Sequence, residues 1–409
     1  MVRGMLIRQA FKYRLDTSIE TERLMCQYAG NCRFLWNKAL GLNVCSLENK
    51  QPLLWYRELD WMSKLWKQSE EYGFLKLSPA QTLQQTLKQL ERAFKDGFDR
   101  SQPLKRIPTF KKRGDRDSFT YPQGFKIEGK RIFLPKIGWV NFRKSREIIG
   151  TPKNITISRL GSHWFVSIQV EIEVPEPSHF SQSMVGIDMG VKRLFTLSTG
   201  DFEEPIDSKK WRDKIRRLQK RLAKKVKFSK NWHKLRGKIN RLHTKLSNIR
   251  RDMLHKFSSA LSKSHAVLVL EDLQIRSMTK SAKGDRENPG SRVAQKSGLN
   301  RAILDQGWGL FKTFLEYKQK WLGGQVLYVN PKHTSQTCPV CYNVNKDNRQ
   351  IQDSFACIRC GHLEHADVVG AKNVLERGRR LLACEENWVA KLVEAGTGKL
   401  SDKLEPTFV

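Results

Sequence analysis

From Met5 to Leu15 apolar residues alternate with polar and basic ones (Met-Leu-Ile-Arg-Gln-Ala-Phe-Lys-Tyr-Arg-Leu), a period of two that predicts an opening strand with one wet face. The period then lengthens. Leu24, Tyr28, Cys32, Leu35 and Trp36 recur at helical spacing behind Asp16 or Thr17 as a cap, and Leu83, Leu87, Leu90, Ala93 and Phe94 do so behind Ser78-Pro79. After Pro108-Thr109-Phe110-Lys111-Lys112-Arg113 the short period returns at Ser118–Tyr121, Phe125–Ile127, Arg131–Leu134, Ile155–Ile157 and Trp164–Val170, with turn residues such as Gly129-Lys130 and Gly161-Ser162 between them. Together with the opening strand, these runs predict a small β-barrel into which the helices are inserted. Glu173 to Ser183, with Pro175, Pro177 and several serines, predicts a linker.

The second half alternates strand and helix. Val185 to Val191 is an apolar strand broken by Asp188, and Leu194 to Ser198 is a second. Ile215, Leu218 and Leu222, then Leu235, Ile239, Leu242 and Leu246, predict two helices broken near Phe228-Ser229-Lys230-Asn231. His265 to Leu270 reads as a buried strand ending on Glu271-Asp272-Leu273, and Ser277 to Asn300 as a polar, mobile loop. A helix with Trp308, Phe311, Phe314, Leu315 and Tyr317 leads to a strand, Val326 to Val329. A last helix carries Val368, Ala371, Val374 and Leu375, with Asp367 in its first turn; from Glu385 onward the weak period predicts a disordered tail.

Charge changes the picture. A chain of 409 residues, 39% hydrophobic, can bury cores for two or three domains, but a formal net charge of +34 demands a polyanionic partner, and nucleic acid is the usual one. The hairpin segment 209–256 concentrates about twenty Lys and Arg against Asp213 and Asp252 alone, where a merely solvated helix would mix signs. Lys224, Lys225 and Lys227 are its candidate contacts, with Lys76, Gln81, Gln85, Lys111 and Lys112 in the first half. No apolar run reaches the ~18 residues of a membrane span, and the start lacks a signal-peptide apolar region. A soluble, intracellular (cytoplasmic) protein without a membrane partner is expected, with a monomer the favoured state.

Cysteine spacing adds a metal. Cys338-Pro-Val-Cys341 and Cys357-Ile-Arg-Cys360 form two knuckles, and four thiolates satisfy one tetrahedral, structural zinc with no open position. Cys26, Cys32, Cys45 and Cys384 are scattered thiols. Three acids complete the candidate chemistry: Asp188 in a first strand, Glu271 at the end of a later one and Asp367 opening the last helix. Brought to one sheet edge, they suit two Mg²⁺ or Mn²⁺ ions ~3.5–4 Å apart, which activate water and stabilise the leaving oxygen of a phosphodiester.

Gly186-Ile187-Asp188-Met189-Gly190, Glu271-Asp272-Leu273, Thr334-Ser335-Gln336-Thr337-Cys338-Pro339-Val340-Cys341 and Cys357-Ile358-Arg359-Cys360-Gly361 resemble, in order and spacing, the TnpB (OrfB) proteins of bacterial insertion sequences. Ser78, Gln81, Leu83, Ala93 and Pro108-Thr109-Phe110-Lys111-Lys112 carry the likeness into the front half. The resemblance implies an RNA-guided DNA endonuclease, related to type V CRISPR effectors, that binds a transposon-end guide RNA and cuts double-stranded DNA beside a short motif. It implies an α+β multidomain chain. Its parts would be a barrel strand 1–15, a helical recognition domain 16–105, a wedge-like barrel 106–178, and a RuvC, RNase H-like nuclease domain 179–336 with a basic hairpin 209–262. A zinc ribbon 337–362, a final helix 363–384 and a tail 385–409 would follow. Asp188, Glu271 and Asp367 carry over as catalytic metal ligands.

One departure matters. The family's usual Arg-Asp-x-Asn-Ala-Ala-x-Asn reads Ala366-Asp367-Val368-Val369-Gly370-Ala371-Lys372-Asn373 here, which touches the shell that orients the third acid. The competing readings are a guided DNA-binding, repressor-like protein with weak or lost cleavage, and a zinc-ribbon RNA-binding protein without catalysis. A cut-and-join transposase would need a recombinase nucleophile motif, and none is evident.

Overall fold

A computed structural model describes residues 4–102, 105–114 and 117–394, with side chains described to residue 384. The chain divides into two compact units, Met1–Pro175 with Arg217–Thr244, and Glu176–Arg216 with Lys245–Val409. The whole is mixed α/β and multidomain. Among the described residues no helix is long and apolar enough to cross a membrane.

The first unit contains β1 (Gly4–Asp16), α1 (Ile19–Glu48), α2 (Tyr56–Gln68), α3 (Ala80–Phe98), β2 (Ser118–Tyr121), β3 (Lys126–Glu128), β4 (Arg131–Leu134), β5 (Gly138–Phe142), β6 (Thr151–Leu160) and β7 (His163–Pro175). The strands form one antiparallel sheet in the order β2-β6-β7-β1-β5-β4-β3. β1 is its spine, paired with β7 from Gly4 to Arg14 and with β5 at Leu15 and Asp16. Its alternation buries Phe11, Tyr13 and Leu15 in a core with Trp164, Tyr121 and Phe119 of the sheet and Leu35, Leu83 and Phe94 of α1 and α3.

Some expected boundaries move. Asp16 is still paired in β1, so Ser18, not Asp16 or Thr17, caps α1 by accepting the Thr21 amide at 3.1 Å. The linker expected from Glu173 begins later, because β7 runs on to Pro175 opposite Gly4. β5 went unseen in the sequence because only Val140 and Phe142 mark its buried side.

The second unit opens with β8 (Met184–Asp188), β9 (Phe195–Leu197) and β10 (Phe202–Glu203), then α4 (Lys209–Ala223) and α5 (Lys230–Ser264), whose distal parts, Arg217–Thr244, group with the first unit. It continues through β11 (Val267–Glu271), α6 (Ile275–Met278), α7 (Val293–Gln306), α8 (Trp308–Leu322), β12 (Gln325–Val329), β13 (Ser354–Ala356), β14 (Leu363–His365) and α9 (Ala366–Glu394). The main sheet runs β10-β9-β8-β11-β12, antiparallel through the first three strands and parallel from β8 to β12. β11 is apolar at consecutive positions because both of its faces are covered. Leu268 and Leu270 pack with Leu254 and Leu261 of α5 and Phe311 and Leu315 of α8. Val269 packs the other way, with Val329 and with Val374 of α9.

α9 sits on the strands almost backbone to backbone. A Cβ at Gly186 would stand 2.1 Å from the Ala371 carbonyl oxygen, so only glycine fits there. The segment expected as a mobile loop contains α7, which buries only Ile303 and Gln306 and so left no period to read. α9 continues to Glu394, beyond the expected boundary at 384; the rest of the expected tail, 395–409, lies outside the described residues.

Candidate metal centre and carboxylate cluster

Each cysteine pair is shaped by its own backbone. The Tyr342 amide donates to the Cys338 carbonyl at 3.0 Å and the Gly361 amide to the Cys357 carbonyl at 2.9 Å, closing two tight turns. The four Sγ atoms lie within 4.8 Å of one another, with Cys338 3.6 Å from Cys360 and Cys341 3.5 Å from Cys357. Tetrahedral zinc with bonds of ~2.3 Å spaces its sulfurs ~3.8 Å apart, so this set fits such an ion. Burial disfavours the Cys357 thiolate, but the Cys360 and Arg359 amides aimed at its sulfur outweigh that and draw the thiol below its ordinary range. Cys338, Cys357 and Phe355 share a buried cluster with Ala366 and Val369, so the clasp is packed against the start of α9.

Strand parity sets two of the carboxylates side by side and the start of α9 brings the third near Asp188, although among the described residues only the four thiols lie close enough together to share one ion as they stand. Ile187 and Leu270 are partners across the parallel β8–β11 pair, which puts Asp188 beside Glu271 at the C-terminal ends of neighbouring strands. Both residues have the parity of Gly186 and Val269, whose faces α9 covers. A Cβ at Gly370 would lie 2.9 Å from Asp188 Oδ2, so the first turn of α9, with Asp367, closes on the same place. A side chain at Gly370 would therefore crowd the first acid.

Electrostatics records the crowding. Burial, then the Glu271 charge, then the Asp367 charge, push Asp188 up to about 7, with Arg349 opposing. Burial also raises Glu271, against the Thr334 hydroxyl and the Arg377 and Lys312 charges. Like charges gathered without a cation are costly, and a divalent cation is the species that relieves them.

Three supporting residues were not assigned roles by sequence reasoning. Thr334 Oγ1 donates to Glu271 Oε1 at 2.5 Å. Asn373 Nδ2 donates to the Thr334 and Thr337 carbonyls at 2.7 Å each, tying α9 to the segment that leads into the first knuckle. Arg349 Nη2 stands 3.4 Å from Asp367 Oδ1, and Nε and the same Nη2 donate to the Gln352 carbonyl at 3.2 and 2.7 Å. Thr334 and Asn373 lie inside motifs already singled out, whereas Arg349 sits in a polar run with no periodic signal.

The expected nucleic-acid residues differ in exposure. Lys76, Lys112, Lys224, Lys225 and Lys227 are exposed. Gln81 and Gln85 are half-buried on α3, and Gln81 Oε1 has no hydrogen-bond partner. Lys111 is packed inward, its Nζ 3.6 Å from the Trp36 ring centroid.

A parallel-and-antiparallel sheet backed by α9, acids at its strand ends and a four-thiol clasp define a class of multidomain α/β protein with the fold of Cas12f1. A solved Cas12f1–sgRNA–target DNA complex aligns with TM-score 0.54, covering 90% of this chain and 98% of that chain at 14% identity. The chain belongs to the TnpB (OrfB, IS605) family. It is 48% identical over 382 residues, 92% of its own length and 94% of the relative's, to the "Putative RNA-guided DNA endonuclease InsQ" of Escherichia coli K12. It is also 29% identical, over 98% of its length and 96% of the other's, to a "Putative RNA-guided DNA endonuclease" of Streptomyces pristinaespiralis. Family models match at residues 167–282 ("Probable transposase", OrfB_IS605), 308–374 ("Cas12f1-like, TNB domain") and 5–48 ("Helix-turn-helix domain", HTH_OrfB_IS605). The last of these spans most of β1 and all of α1.

Proposed function

We propose that this chain is a transposon-encoded, RNA-guided DNA endonuclease of the prokaryotic cytoplasm that hydrolyses phosphodiesters at a guide-matched target. The observation that carries this reading is the placement of Asp188 beside Glu271 at neighbouring strand ends, with Asp367 near enough to raise Asp188, which supports their role as the metal ligands of a RuvC, RNase H-like domain. Divalent ions bound there, two Mg²⁺ or Mn²⁺, would supply an activated water and neutralise charge at the leaving oxygen. The chain's own residues do the positioning. Thr334 fixes the rotamer of Glu271, Arg349 steadies Asp367, and Gly370 leaves Asp188 its space. Cys338, Cys341, Cys357 and Cys360 hold one structural zinc in a ribbon, 337–362, that anchors the start of α9.

In the same reading, the seven-stranded sheet serves as the wedge-like domain and α1–α3 as the recognition helices. Both hold guide RNA and the motif-bearing duplex, with exposed Lys76, Lys112, Lys224, Lys225 and Lys227 on phosphates. The test is cleavage of a plasmid carrying a matched target and a randomised adjacent motif, with Mg²⁺ or Mn²⁺, beside a binding assay on the same RNA complex. Asp188→Ala and Glu271→Ala should each lower cleavage by more than ~100-fold, beyond the loss typical of supporting residues, and leave guided binding intact. Tight guided binding by the parent chain without cutting in either metal would replace this reading with the repressor.

A further inference from the structure

The turn between α4 and α5 presents an aromatic ring in a field of one sign. Phe228 is 66% exposed and Val226 79%, and Lys224, Lys225, Lys227 and Lys230 around them are all exposed. From Lys214 to Arg251 the chain has no Asp or Glu. Nothing in this segment offsets the positive charge.

Phe228 adopts φ +68°, a left-handed conformation that a bulky side chain avoids and that a turn selected only for its shape would give to Gly or Asn. The conformation is fixed on both sides. Lys225 and Ser229 amides donate to the Leu222 and Val226 carbonyls at 3.0 and 3.2 Å, and Ser229 caps α5 by accepting the Trp232 amide at 3.2 Å. The exposed ring is also braced, with Trp232 at 5.4 Å and His233 at 6.4 Å between centroids, and Arg236 lies over Trp232. A strained backbone that holds a ring in solvent among lysines has the parts of a stacking platform: a π-face for a base and cations for the flanking phosphates.

We propose that Phe228, braced by Trp232, stacks on an unpaired base of the bound RNA while Lys224, Lys225, Lys227 and Lys230 neutralise adjacent phosphates. RNA is the source because its loops and ends present unstacked bases to aromatic side chains before any target is bound, whereas a DNA strand is unstacked only after guide pairing has displaced it, a stage that an assay of DNA capture by the preformed complex separates. This rests on the RNA-guided reading and adds to it a base-contacting residue.

Phe228→Gly separates contact from fold, because glycine relaxes the φ +68° backbone while removing the ring. The experiment uses the full chain and the RNA sequenced from its own purified complex, re-bound across a salt series. Phe228→Gly should melt no lower than the parent yet bind this RNA about tenfold more weakly, with the salt slope unchanged. Phe228→Trp should restore affinity, and Phe228→Leu, apolar without a π-face, should not. Replacing Lys224, Lys225 and Lys227 together by Ala should instead flatten the log–log slope by about 2–3. Parent-level RNA affinity in both the Gly and Leu variants would overturn the stacking role. So would a defect confined to DNA capture by the preformed complex, or to binding of anionic lipid vesicles. If the parent chain itself retains no RNA, the RNA-guided reading fails first, which the parent control shows without any variant.

Discussion

The four-thiol clasp and the three-carboxylate cluster lie at the start of the same helix, α9, yet they are assembled in opposite ways. The clasp's ligands fall between Cys338 and Cys360, and backbone turns of a few residues aim them. The acids come from residues 188, 271 and 367, on two strands and a helix, and only packing brings them together. The clasp requires short-range geometry and an ion. The cluster requires the whole second sheet to be in register, and each acid depends on a neighbour: Glu271 on Thr334, Asp367 on Arg349, Asp188 on Gly370. A local site fails as a unit, whereas a distributed site can be detuned one partner at a time.

The largest expected effect lies on the clasp. Cys357→Ser or strong chelation should release the zinc, forfeiting metal binding worth about 10–16 kcal/mol in small zinc domains, and expose the 337–373 region to protease. Elemental analysis and limited proteolysis check this; retained zinc, or an unchanged digest, would break the picture of the clasp as the anchor of α9.

Gly186→Ala tests the opposite case. With only 2.1 Å to the Ala371 carbonyl, the methyl must push α9 off β8, lowering stability by roughly 1–3 kcal/mol or more and cleavage with it, while zinc content stays at one per chain. A parent-like melt would mean the two backbones separate freely there.

A smaller, selective loss is expected for Thr334→Val, which removes the hydroxyl on Glu271 and keeps its bulk. Cleavage or divalent-ion affinity should fall about 10–100-fold at unchanged zinc content and guided binding. Kinetics at saturating target DNA would check it.

The mildest effect is pH. Asp188, raised to about 7 by burial and then by Glu271 and Asp367, keeps its proton in the folded, metal-free chain across a range where the unfolded chain has already lost it. The folded state then binds more protons between about pH 4 and 7, so this group's contribution to stability falls as pH rises through that window. Ion binding needs the carboxylate, so divalent-ion affinity should rise with pH, by up to about tenfold between pH 6 and 7. Calorimetric titration of Mn²⁺ checks the slope, and Asp188→Asn should flatten it without lowering the metal-free melting temperature at pH 8.

How much of this could be read from the chain follows the same division. Both cysteine pairs were visible because a knuckle is a motif of four residues. Asp188 was visible as an acid inside an apolar strand, Glu271 as one at the end of another and Asp367 as one in the first turn of a helix, since a carboxylate in an apolar strand is costly without a purpose. Arg349 was invisible, because its meeting with Asp367 depends on how the ribbon folds back. α7 was invisible because it buries too little to leave a period, and the cap of α1 moved to Ser18 because β1 kept Asp16.

The sequence by itself determined the periods of strand and helix, the concentration of positive charge in the hairpin, the thiol clasp and the identity of the three acids. Each of these rests on a pattern local to one stretch of the chain. The tertiary structure alone decided that Asp188 and Glu271 share a face, that Gly186 and Gly370 let α9 close on them, and that Thr334, Asn373 and Arg349 brace the result. Those contacts join residues far apart in the chain, and no local pattern encodes a distance that only packing sets.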